Sequence, residues 1–346
     1  MPSQTGPADS SPPPSTPPRH RAARLEDRIH RLRERRARAR GQTPMIIPYT
    51  GYGTVEWVRV LCRVLLAKPG RRKTENVRGW RSFTSVPVDD ATVTIEIDGV
   101  AHPVRTLRGG VVDTVLPARL APGWHAVLMS TGGSEPVSAP VFIAAPDASF
   151  GIVSDVDDTV MVTALPRPLL AAWNTFVLNE HARAPVPGMA VLFERLATAH
   201  PGCPVVYLST GAWNTAPALS RFLSRNLYPP GPLLLTDWGP THDRWFRSGR
   251  AHKRETLDRL AEEFPGIRWL LIGDDGQHDE ELYGEFAARH PQSVAAIAIR
   301  QLSTGEAVLA GRRARPESHG GEGSPRWIHA ENGAGLAERL REAGIL

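Results

Sequence analysis

The chain has 346 residues, of which 41% are hydrophobic and 22% charged, ordinary values for a globular protein of about two domains. No apolar run reaches the roughly 18 residues that a membrane-spanning helix needs. The two cysteines, Cys62 and Cys203, lie far apart within apolar segments, which weighs against a disulfide framework or a zinc site and predicts a cytoplasmic protein.

The positive charge is concentrated in the N-terminal arm, which we define as residues 1–44. Residues 19–40 contain ten arginines and three acids, a local charge of +7, so the remainder of the chain carries −2 of the total +5. The basic isoelectric point therefore predicts no specific nucleic-acid partner. Residues 1–18 contain seven prolines and are predicted to be disordered, because such a segment buries too little surface to offset its ordering entropy.

The arginine-rich segment of the arm is predicted to be a helix. Leu25, Ile29 and Leu32 fall on one face and form a narrow apolar stripe. One interpretation is a helix that contacts an anionic membrane surface, at the inner face of the membrane, or another polyanion. The other is a solvated helix with no partner, and the narrow stripe leaves both open.

Residues 45–148 are predicted to form a small antiparallel β-sandwich. Short strand-like segments follow one another without helices between them, and glycine or proline separates most of them. The period-2 alternation of TVTIEI within the second segment is typical of a half-buried strand. The predicted strands span 55–67, 91–99, 102–109, 110–118, 125–131 and 139–146.

Residues 149–304 alternate between strand and helix patterns, which predicts an α/β domain with a doubly wound, mostly parallel sheet. Its predicted strands span 150–155, 204–209, 232–237, 268–274 and 294–300, and its helices 188–199, 215–226, 252–264 and 279–289. Residues 305–346 are predicted to be a C-terminal tail, a Gly- and Arg-rich loop to about 326 followed by a short helix over 334–343.

Polar residues cluster where the predicted strands of this domain end. The sequence Asp155-Val156-Asp157-Asp158-Thr159 follows the first strand, and Ser209-Thr210-Gly211 follows the second. Lys253 opens the helix before the fourth strand, which ends in Asp274-Asp275, with Asp279 shortly after. Because sites in such sheets lie outside the carboxyl ends of the strands, these residues are expected to meet. Like charges this close need a metal, a shared proton or solvent to offset their repulsion. Taken alone, DVDD is therefore equally consistent with a solvated acidic turn.

Taken in order, these segments resemble the four motifs of the haloacid dehalogenase superfamily of phosphohydrolases. That family has DxDxT after a strand, a Ser or Thr ending the next strand, a lysine, and a final acidic pair. The matching positions are Asp155, Asp157 and Thr159; Ser209; Lys253; and Asp274 with Asp279, Asp275 being a second candidate.

Further segments make the chain most similar to the actin-patch-protein-type, lipin-related phosphatidate phosphatase catalytic domain family. The matching segments are DVDDT (155–159), PVPGM (185–189), YPPGPLLL (228–235), HKRETL (252–257), IGDDGQHD (272–279) and IPYTGYGT (47–54). The chain departs from the family at STGAWN (209–214), where the family often has a Ser-Asn-Ser-Pro-Trp type of sequence. This departure bears on which headgroup the site accepts.

The resemblance implies a Mg²⁺-dependent phosphatase that forms an aspartyl-phosphate on Asp155, with Asp157 as acid and base. It implies that Ser209 binds a phosphoryl oxygen and that Lys253 supplies positive charge to the transition state. Expected metal residues are Asp155, Asp157 through its carbonyl, Asp274, Asp279 and Asp275; expected substrate contacts are Thr159, Thr210 and Gly211. Asp158 receives only a structural or supporting role.

The insert between the first two motifs, residues 160–187, is short and predicts a small cap. An open site of this kind favours a large or membrane-held substrate, so a phosphatidate-like lipid in lipid metabolism is the preferred interpretation. The alternatives are a soluble phosphate ester or phosphoprotein as substrate, or a polyanion- or membrane-binding scaffold with a vestigial phosphatase fold.

Overall fold

A computed structural model describes residues 21–68, 85–132, 134–162, 184–236, 242–276, 278–303, 305–306 and 325–346. The predicted disorder over 1–18, most of the predicted cap over 160–187 and most of the predicted loop over 305–326 lie outside these residues. The described chain forms two hydrogen-bonded sheets, one in each of the two regions that the sequence distinguishes.

The N-terminal region begins with the helix α1 (Arg21–Ala39), which confirms the helix predicted in the arginine-rich segment. Helix α1 contacts the strands β3 (Trp57–Ala67) and β4 (Val86–Pro87), and Ala37 is buried in the core beneath them. Ile29 and Leu32, from the predicted apolar stripe, are 52% and 48% exposed instead. Ala37 thus attaches the C-terminal part of the helix to the sheet, while Ile29 and Leu32 remain accessible.

Nine strands form the N-terminal sheet, in which the order along the main path is β1-β3-β2-β9-β8-β5-β6 and both β4 and β7 pair with β3. The remaining strands are β1 (Thr43–Pro48), β2 (Gly51–Gly53), β5 (Thr92–Ile97), β6 (Val100–Arg105), β7 (Val111–Pro117), β8 (Gly123–Thr131) and β9 (Val137–Ile143).

This sheet is mixed, and the expectation of a wholly antiparallel sheet is therefore wrong. Strand β2 runs parallel to β9, with Tyr52 opposite Phe142, while every other pair is antiparallel. The strands β1, β2 and β4 were not predicted, because the alternation on which a strand prediction depends is too short or absent there.

The second sheet has six parallel strands in the order β12-β11-β10-β13-β14-β15. Its strands are β10 (Phe150–Asp155), β11 (Val205–Ala212), β12 (Leu233–Thr236), β13 (Arg268–Asp274), β14 (Val294–Arg300) and β15 (Trp327–Ala330). The helices are α2 (Met189–Ala199), α3 (Ala216–Arg225), α4 (His242–Glu263), α5 (Asp279–Arg289) and α6 (Gly333–Glu342).

The parallel arrangement follows from nearly continuous apolar runs such as those of β10 and β13, which are buried on both faces. Helices α2 and α6 contact each other, as do α4 and α5. Strand β10 lies between β11, which follows it in the chain, and β13, where the chain has returned to the other side of β10. The strand order therefore reverses at β10, and sites in α/β sheets form at such a reversal.

Two predicted boundaries near the site differ from the structure. Strand β11 continues to Ala212, so Ser209 lies within the strand rather than at its end. Helix α4 begins at His242 rather than at 252, which places Lys253 in its interior. Glycine has a low helix propensity, so the glycine at 249 disfavours a helix interior at this position. It is accommodated here because the helix passes close to β11, where a side-chain carbon at position 249 would lie 3.0 Å from Thr210 Cγ2.

The C-terminal residues are part of the second sheet rather than a separate tail segment. Strand β15 pairs with β14 and was not predicted, while α6 confirms the short helix expected over 334–343 and packs against α2. The side chain of Asn332 caps α6 by accepting hydrogen bonds from the backbone N–H groups of Ala334 and Gly335, both at 3.1 Å.

Gly333→Ala should destabilise the protein by about 2–4 kcal/mol, because overpacking against backbone atoms cannot relax easily. A Cβ at this position would lie 2.2 Å from the carbonyl carbon of Gly188 and 2.3 Å from the nitrogen of Met189. The control is Gly284→Ala inside α5, where the nearest atom is 3.7 Å away and a gain of about 0.5–1 kcal/mol is expected. Urea unfolding of both variants measures the difference; equal stabilities would contradict the packing of α6 on the PVPGM segment.

Candidate functional site

The first strand-end acid, Asp155, closes β10 at the point where the strand order reverses, and its side chain is buried. The chain then makes a tight turn, in which the N–H groups of Val160 and Met161 donate to the carbonyl of Val156 at 3.1 and 3.2 Å. Asp157 forms an isolated parallel bridge with Met161. The turn thus brings the carboxyl groups of Asp155 and Asp157 to the same edge of the sheet.

Asp158 serves the backbone of this turn. Its φ angle is 58°, in the left-handed region that aspartate tolerates better than most residues. Its N–H donates to the carbonyl of Met161 at 2.8 Å, and its own carbonyl accepts a 2.7 Å hydrogen bond from Arg300. The positive φ and the two backbone hydrogen bonds indicate a structural role for Asp158 in this turn, and its charge adds to the rise in the pKa of Asp274.

Three carboxylates form a buried cluster, which we call the acid cluster: Asp155, Asp274 and Asp279. One oxygen from each lies within 4.8 Å of the others. Asp274 ends β13, and Asp279 is the first residue of α5. The cluster is thus assembled from two neighbouring strands and the start of one helix.

Lys253 lies between two members of the acid cluster. Its Nζ donates to Asp155 Oδ1 and to Asp279 Oδ1, both at 2.7 Å, and the lysine is itself buried. The backbone N–H of Gly276 donates to Asp274 Oδ1 at 2.7 Å, and that of Asp274 points to Asp279 Oδ2 at 3.4 Å. These contacts compensate only part of the negative charge, because three ionised acids and one lysine leave an excess of two charges.

The pKa values of these groups reflect this imbalance. Burial raises the pKa of the Asp155 carboxyl well above its ordinary value; Lys253 opposes the rise and the neighbouring acids add to it. Burial likewise raises the pKa of Asp274, and the carboxylates of Asp279 and Asp155 raise it further. Burial alone would lower the pKa of Lys253, but Asp155 and Asp279 hold it well above its ordinary value. Lys253 is therefore a fixed positive charge.

A second group of side chains lies around Asp157. Ser209 Oγ donates to Asp157 Oδ2 at 3.1 Å and accepts from the backbone N–H of Gly211 at 3.0 Å. The neighbouring Thr210 is exposed, and the hydroxyl of Thr236 donates to its carbonyl at 2.9 Å. The fixed backbone over 209–211 thus presents one hydroxyl and one exposed side chain beside the acids.

The structure brings together most of the predicted site residues. Asp155, Asp274 and Asp279 form one cluster, Lys253 contacts Asp155 and Asp279, and Ser209 contacts Asp157. Thr159 is buried, with its hydroxyl 3.5 Å from Asp274 Oδ2, at the long limit of a hydrogen bond. Asp275 Oδ1 accepts a hydrogen bond from the backbone N–H of Leu302 at 2.8 Å, outside the acid cluster.

Arg300 supports the site and was missed in the sequence. It ends β14, is buried, and its guanidinium donates to the carbonyls of Asp158 and Glu331 and to the carboxylate of Glu306. An arginine that closes an apolar strand at the same edge as the acids was the available signal.

The acid cluster fits a divalent cation. Its donors are hard carboxylate oxygens, which magnesium and calcium prefer, and they converge within bonding range of a single ion. Burial raises the pKa of Asp155 and Asp274, the neighbouring carboxylates raise it further, and a bound cation would favour the ionised forms. Asp155 and Asp274 end neighbouring strands at the sheet edge and are the first candidate ligands, with Asp279 beside them at the start of α5.

Comparisons with known proteins agree with this geometry. Residues 150–301 match the family model for the catalytic domain of phosphatidate phosphatase APP1. Phosphatidate phosphatase APP1 of Saccharomyces cerevisiae is 25% identical over 177 residues, which are 50% of this chain and 29% of that protein. An uncharacterized protein of Schizosaccharomyces pombe is 26% identical over 152 residues, 44% of this chain and 25% of that protein. The chain thus spans less than a third of either relative.

Similarity to solved structures is low. A carbohydrate acetylesterase from Xanthomonas citri has a TM-score of 0.31 and 11% identity, with 87% of this chain and 74% of that chain covered. A similarity of this size carries no argument about fold or function. None of the helices within the described ranges is both long and apolar enough to cross a membrane.

The acid cluster and five of the six strands of the parallel sheet lie within the residues that match this phosphatase family model. Residues 150–301 are thus similar to the catalytic-domain family of phosphatidate phosphatase APP1, which confirms the family resemblance predicted from the sequence.

Arg300→Met should lower the free energy of unfolding by about 2–4 kcal/mol, because it leaves the carbonyl of Asp158 without this donor and removes a buried ion pair. The matched control is Arg289→Met, which removes an ion pair to Asp258 whose arginine side chain is 37% exposed. That change should cost less than about 1 kcal/mol. Chemical denaturation measures both, and an equal loss in the two variants would contradict the anchoring role.

Proposed function

We propose that residues 149–304 hydrolyse a phosphate monoester in a Mg²⁺-dependent reaction through an aspartyl-phosphate on Asp155, most favourably on a phosphatidate-like lipid. The observation that carries this proposal is the position of Lys253, with its Nζ 2.7 Å from both Asp155 and Asp279 and with Asp274 in the same cluster. A carboxylate held beside a fixed positive charge and a candidate cation site is suited to attack a negatively charged phosphoryl group.

The proposed fold of this domain is the doubly wound, haloacid dehalogenase-like one, with a small cap over 160–187. The strand order that reverses at β10 and the two pairs of contacting helices, α2 with α6 and α4 with α5, support it. For residues 45–148 we retain the β-sandwich as a proposal, supported by a separate buried core beneath the N-terminal sheet.

In the proposed reaction a carboxylate oxygen of Asp155 attacks phosphorus, and the bond to the leaving alcohol oxygen breaks as the new O–P bond forms. Asp157 donates its proton to that oxygen. Once ionised, Asp157 takes a proton from the water molecule that hydrolyses the aspartyl-phosphate. The products are an alcohol and inorganic phosphate, and both carboxyl groups return to their starting state.

The other residues orient the phosphoryl group. Ser209, whose hydroxyl contacts the Asp157 carboxyl, transfers its hydrogen bond to a phosphoryl oxygen when the substrate binds. Lys253 supports the charge that develops in the transition state. Thr159, Thr210 and Gly211 are the proposed contacts around the substrate.

Asp155 and Asp274 are the proposed Mg²⁺ ligands, together with the backbone carbonyl of Asp157. Asp279 and Asp275 are proposed as further acidic residues near the metal. When bound, Mg²⁺ supplies positive charge that lets two anionic groups approach each other. The residues themselves carry the proton transfers and the covalent step.

The lipid substrate is proposed from the name of the yeast relative, since the site geometry fits any phosphate monoester. Contact with an anionic membrane from the cytoplasmic side is proposed through α1, where Ile29 and Leu32 are exposed among arginines. Apolar side chains on a basic helix are the composition that such surfaces bind.

The reaction is tested by phosphate release from phosphatidate in detergent micelles and from a soluble aryl phosphate. We expect release from the lipid, its loss with EDTA and its recovery with Mg²⁺. Asp155→Asn should lower kcat at least about 1,000-fold, since removal of a nucleophile leaves only residual catalysis. Glu255→Gln, at an exposed position of α4, is the folded control and should retain activity.

Each of the other outcomes contradicts one part of the proposed function. Release from the soluble ester alone overturns the lipid assignment and favours a soluble ester or a phosphoprotein. Near wild-type turnover by Asp155→Asn overturns the covalent mechanism. No release from either substrate, with an intact fold by circular dichroism, favours a scaffold with a vestigial phosphatase fold.

Membrane contact is tested with vesicles that contain anionic lipid. The double variant Ile29→Asp and Leu32→Asp should bind at least about ten-fold more weakly, because it removes apolar contact and adds repulsion. Val191→Asp, which alters a side chain 51% exposed on α2, is the matched control. Equal binding by the two variants in a vesicle sedimentation assay would contradict a role for α1.

A further inference from the structure

Helix α4, which carries Lys253, is held by ion pairs on two sides. Toward α5, Arg250 contacts Glu281 and Glu285 at 2.6 and 2.8 Å, and Arg254 also pairs with Glu285. These contacts join α4 to the helix that begins with Asp279. The other set of contacts comes from the N-terminal sheet, which the family match does not include.

The contact with the N-terminal sheet centres on Glu263, the last residue of α4. Arg59 of β3 donates to Glu263 Oε1 through Nε at 3.1 Å and through a terminal nitrogen at 2.7 Å. Tyr52 of β2 donates to Glu263 Oε2 at 2.8 Å. Both oxygens of this carboxylate are therefore engaged by residues of the N-terminal sheet, at a place where the arginine and glutamate side chains are only 13% and 14% exposed.

A second link and an aromatic contact reinforce this attachment. Asp113 of β7 pairs with Arg59 and lies 3.5 Å from Arg259 of α4. Phe264, directly after the helix, packs against Tyr52 and Trp57, with ring centroids 5.9 and 5.6 Å apart. These contacts fix both the rotation and the axial position of the C-terminal half of α4.

Lys253 and Glu263 lie on one uninterrupted helix, ten residues or about 15 Å apart. A helix is stiff over this distance, so a displacement at Glu263 moves Lys253 as well. Lys253 has little tolerance for movement, because its Nζ is 2.7 Å from two carboxylates of different elements. A misplacement of about 1 Å at a reacting centre costs up to about 100-fold in rate.

We propose that the contact of Arg59 and Tyr52 with Glu263 positions Lys253, so that the N-terminal sheet acts in the reaction through α4. Arg59, Tyr52 and Glu263 are positioning residues, since none of them contacts the acid cluster in the described structure. The expected effect on kcat rests on the proposed function. The expected effect on how firmly α4 is held rests on the contacts alone.

The kinetic test uses Glu263→Gln and the milder Tyr52→Phe, with Asp90→Asn as control. Asp90 forms an exposed ion pair with Arg105 in the same N-terminal region, away from α4. Glu263→Gln should lower kcat about ten-fold and Tyr52→Phe about three-fold, with KM changed less than two-fold, because Lys253 acts in the transition state. Asp90→Asn should leave both constants unchanged.

A double variant separates positioning from loss of stability. In the Lys253→Ala background, Glu263→Gln should reduce the residual kcat by less than about two-fold, because it acts through the missing lysine. A general loss of folded protein would instead lower the rate by the same factor in both backgrounds. That result, or a Glu263→Gln variant that matches Asp90→Asn, overturns the proposal.

Hydrogen exchange of the full-length protein provides a readout that needs no activity. Glu263→Gln should speed exchange of the amides over residues 250–256 at least about five-fold relative to Asp90→Asn, since α4 is less firmly held. Unchanged exchange there overturns the inference. A wild-type protein without phosphatase activity would contradict the proposed function alone, and exchange would then decide this inference.

Discussion

The contact of Lys253 with two buried carboxylates is the constraint on which the rest of this region depends. Ions removed from water are stable only when their partners are close and well oriented, and breaking a buried pair costs about 3–5 kcal/mol. Asp155, Asp279 and Lys253 come from a strand and two different helices. One ammonium group therefore ties the relative positions of these three elements to each other.

Sequence alone predicts the elements that carry the acids because their signals are local. The strands β10, β13 and β14 begin and end where the apolar runs do, since they are buried on both faces. Their polar residues follow at once, so the convergence of Asp155 and Asp274 at one edge follows from a parallel sheet. Strand β15 has no such signal: it is four residues long, and only its pairing with β14 makes it a strand.

The parts that could not be predicted are those in which a residue is chosen for a distant contact. For Asp158 the sequence predicts only a structural or supporting role, and the features that give this role a physical basis, its positive φ and its carbonyl bond to Arg300, are not visible in the motif. The two residues are 142 positions apart, beyond the reach of any pattern. The sequence likewise predicts Lys253 at a helix start, since the glycine at 249 lowers helix propensity. In the structure the helix continues through Gly249, because its close approach to Thr210 is a tertiary contact that overrides propensity.

In the N-terminal sheet, the pairing of the strands is likewise a feature that the sequence could not predict. Period-2 alternation reveals a strand but not its partner, so the parallel pair of β2 with β9 was not foreseen. This pairing has a consequence at the second sheet: it fixes the three-residue strand β2 between β3 and β9, with Tyr52 opposite Arg59. Both side chains then reach the same carboxylate, Glu263. The register of the first sheet thus determines how the end of α4 is held, and α4 carries the lysine that the acid cluster requires.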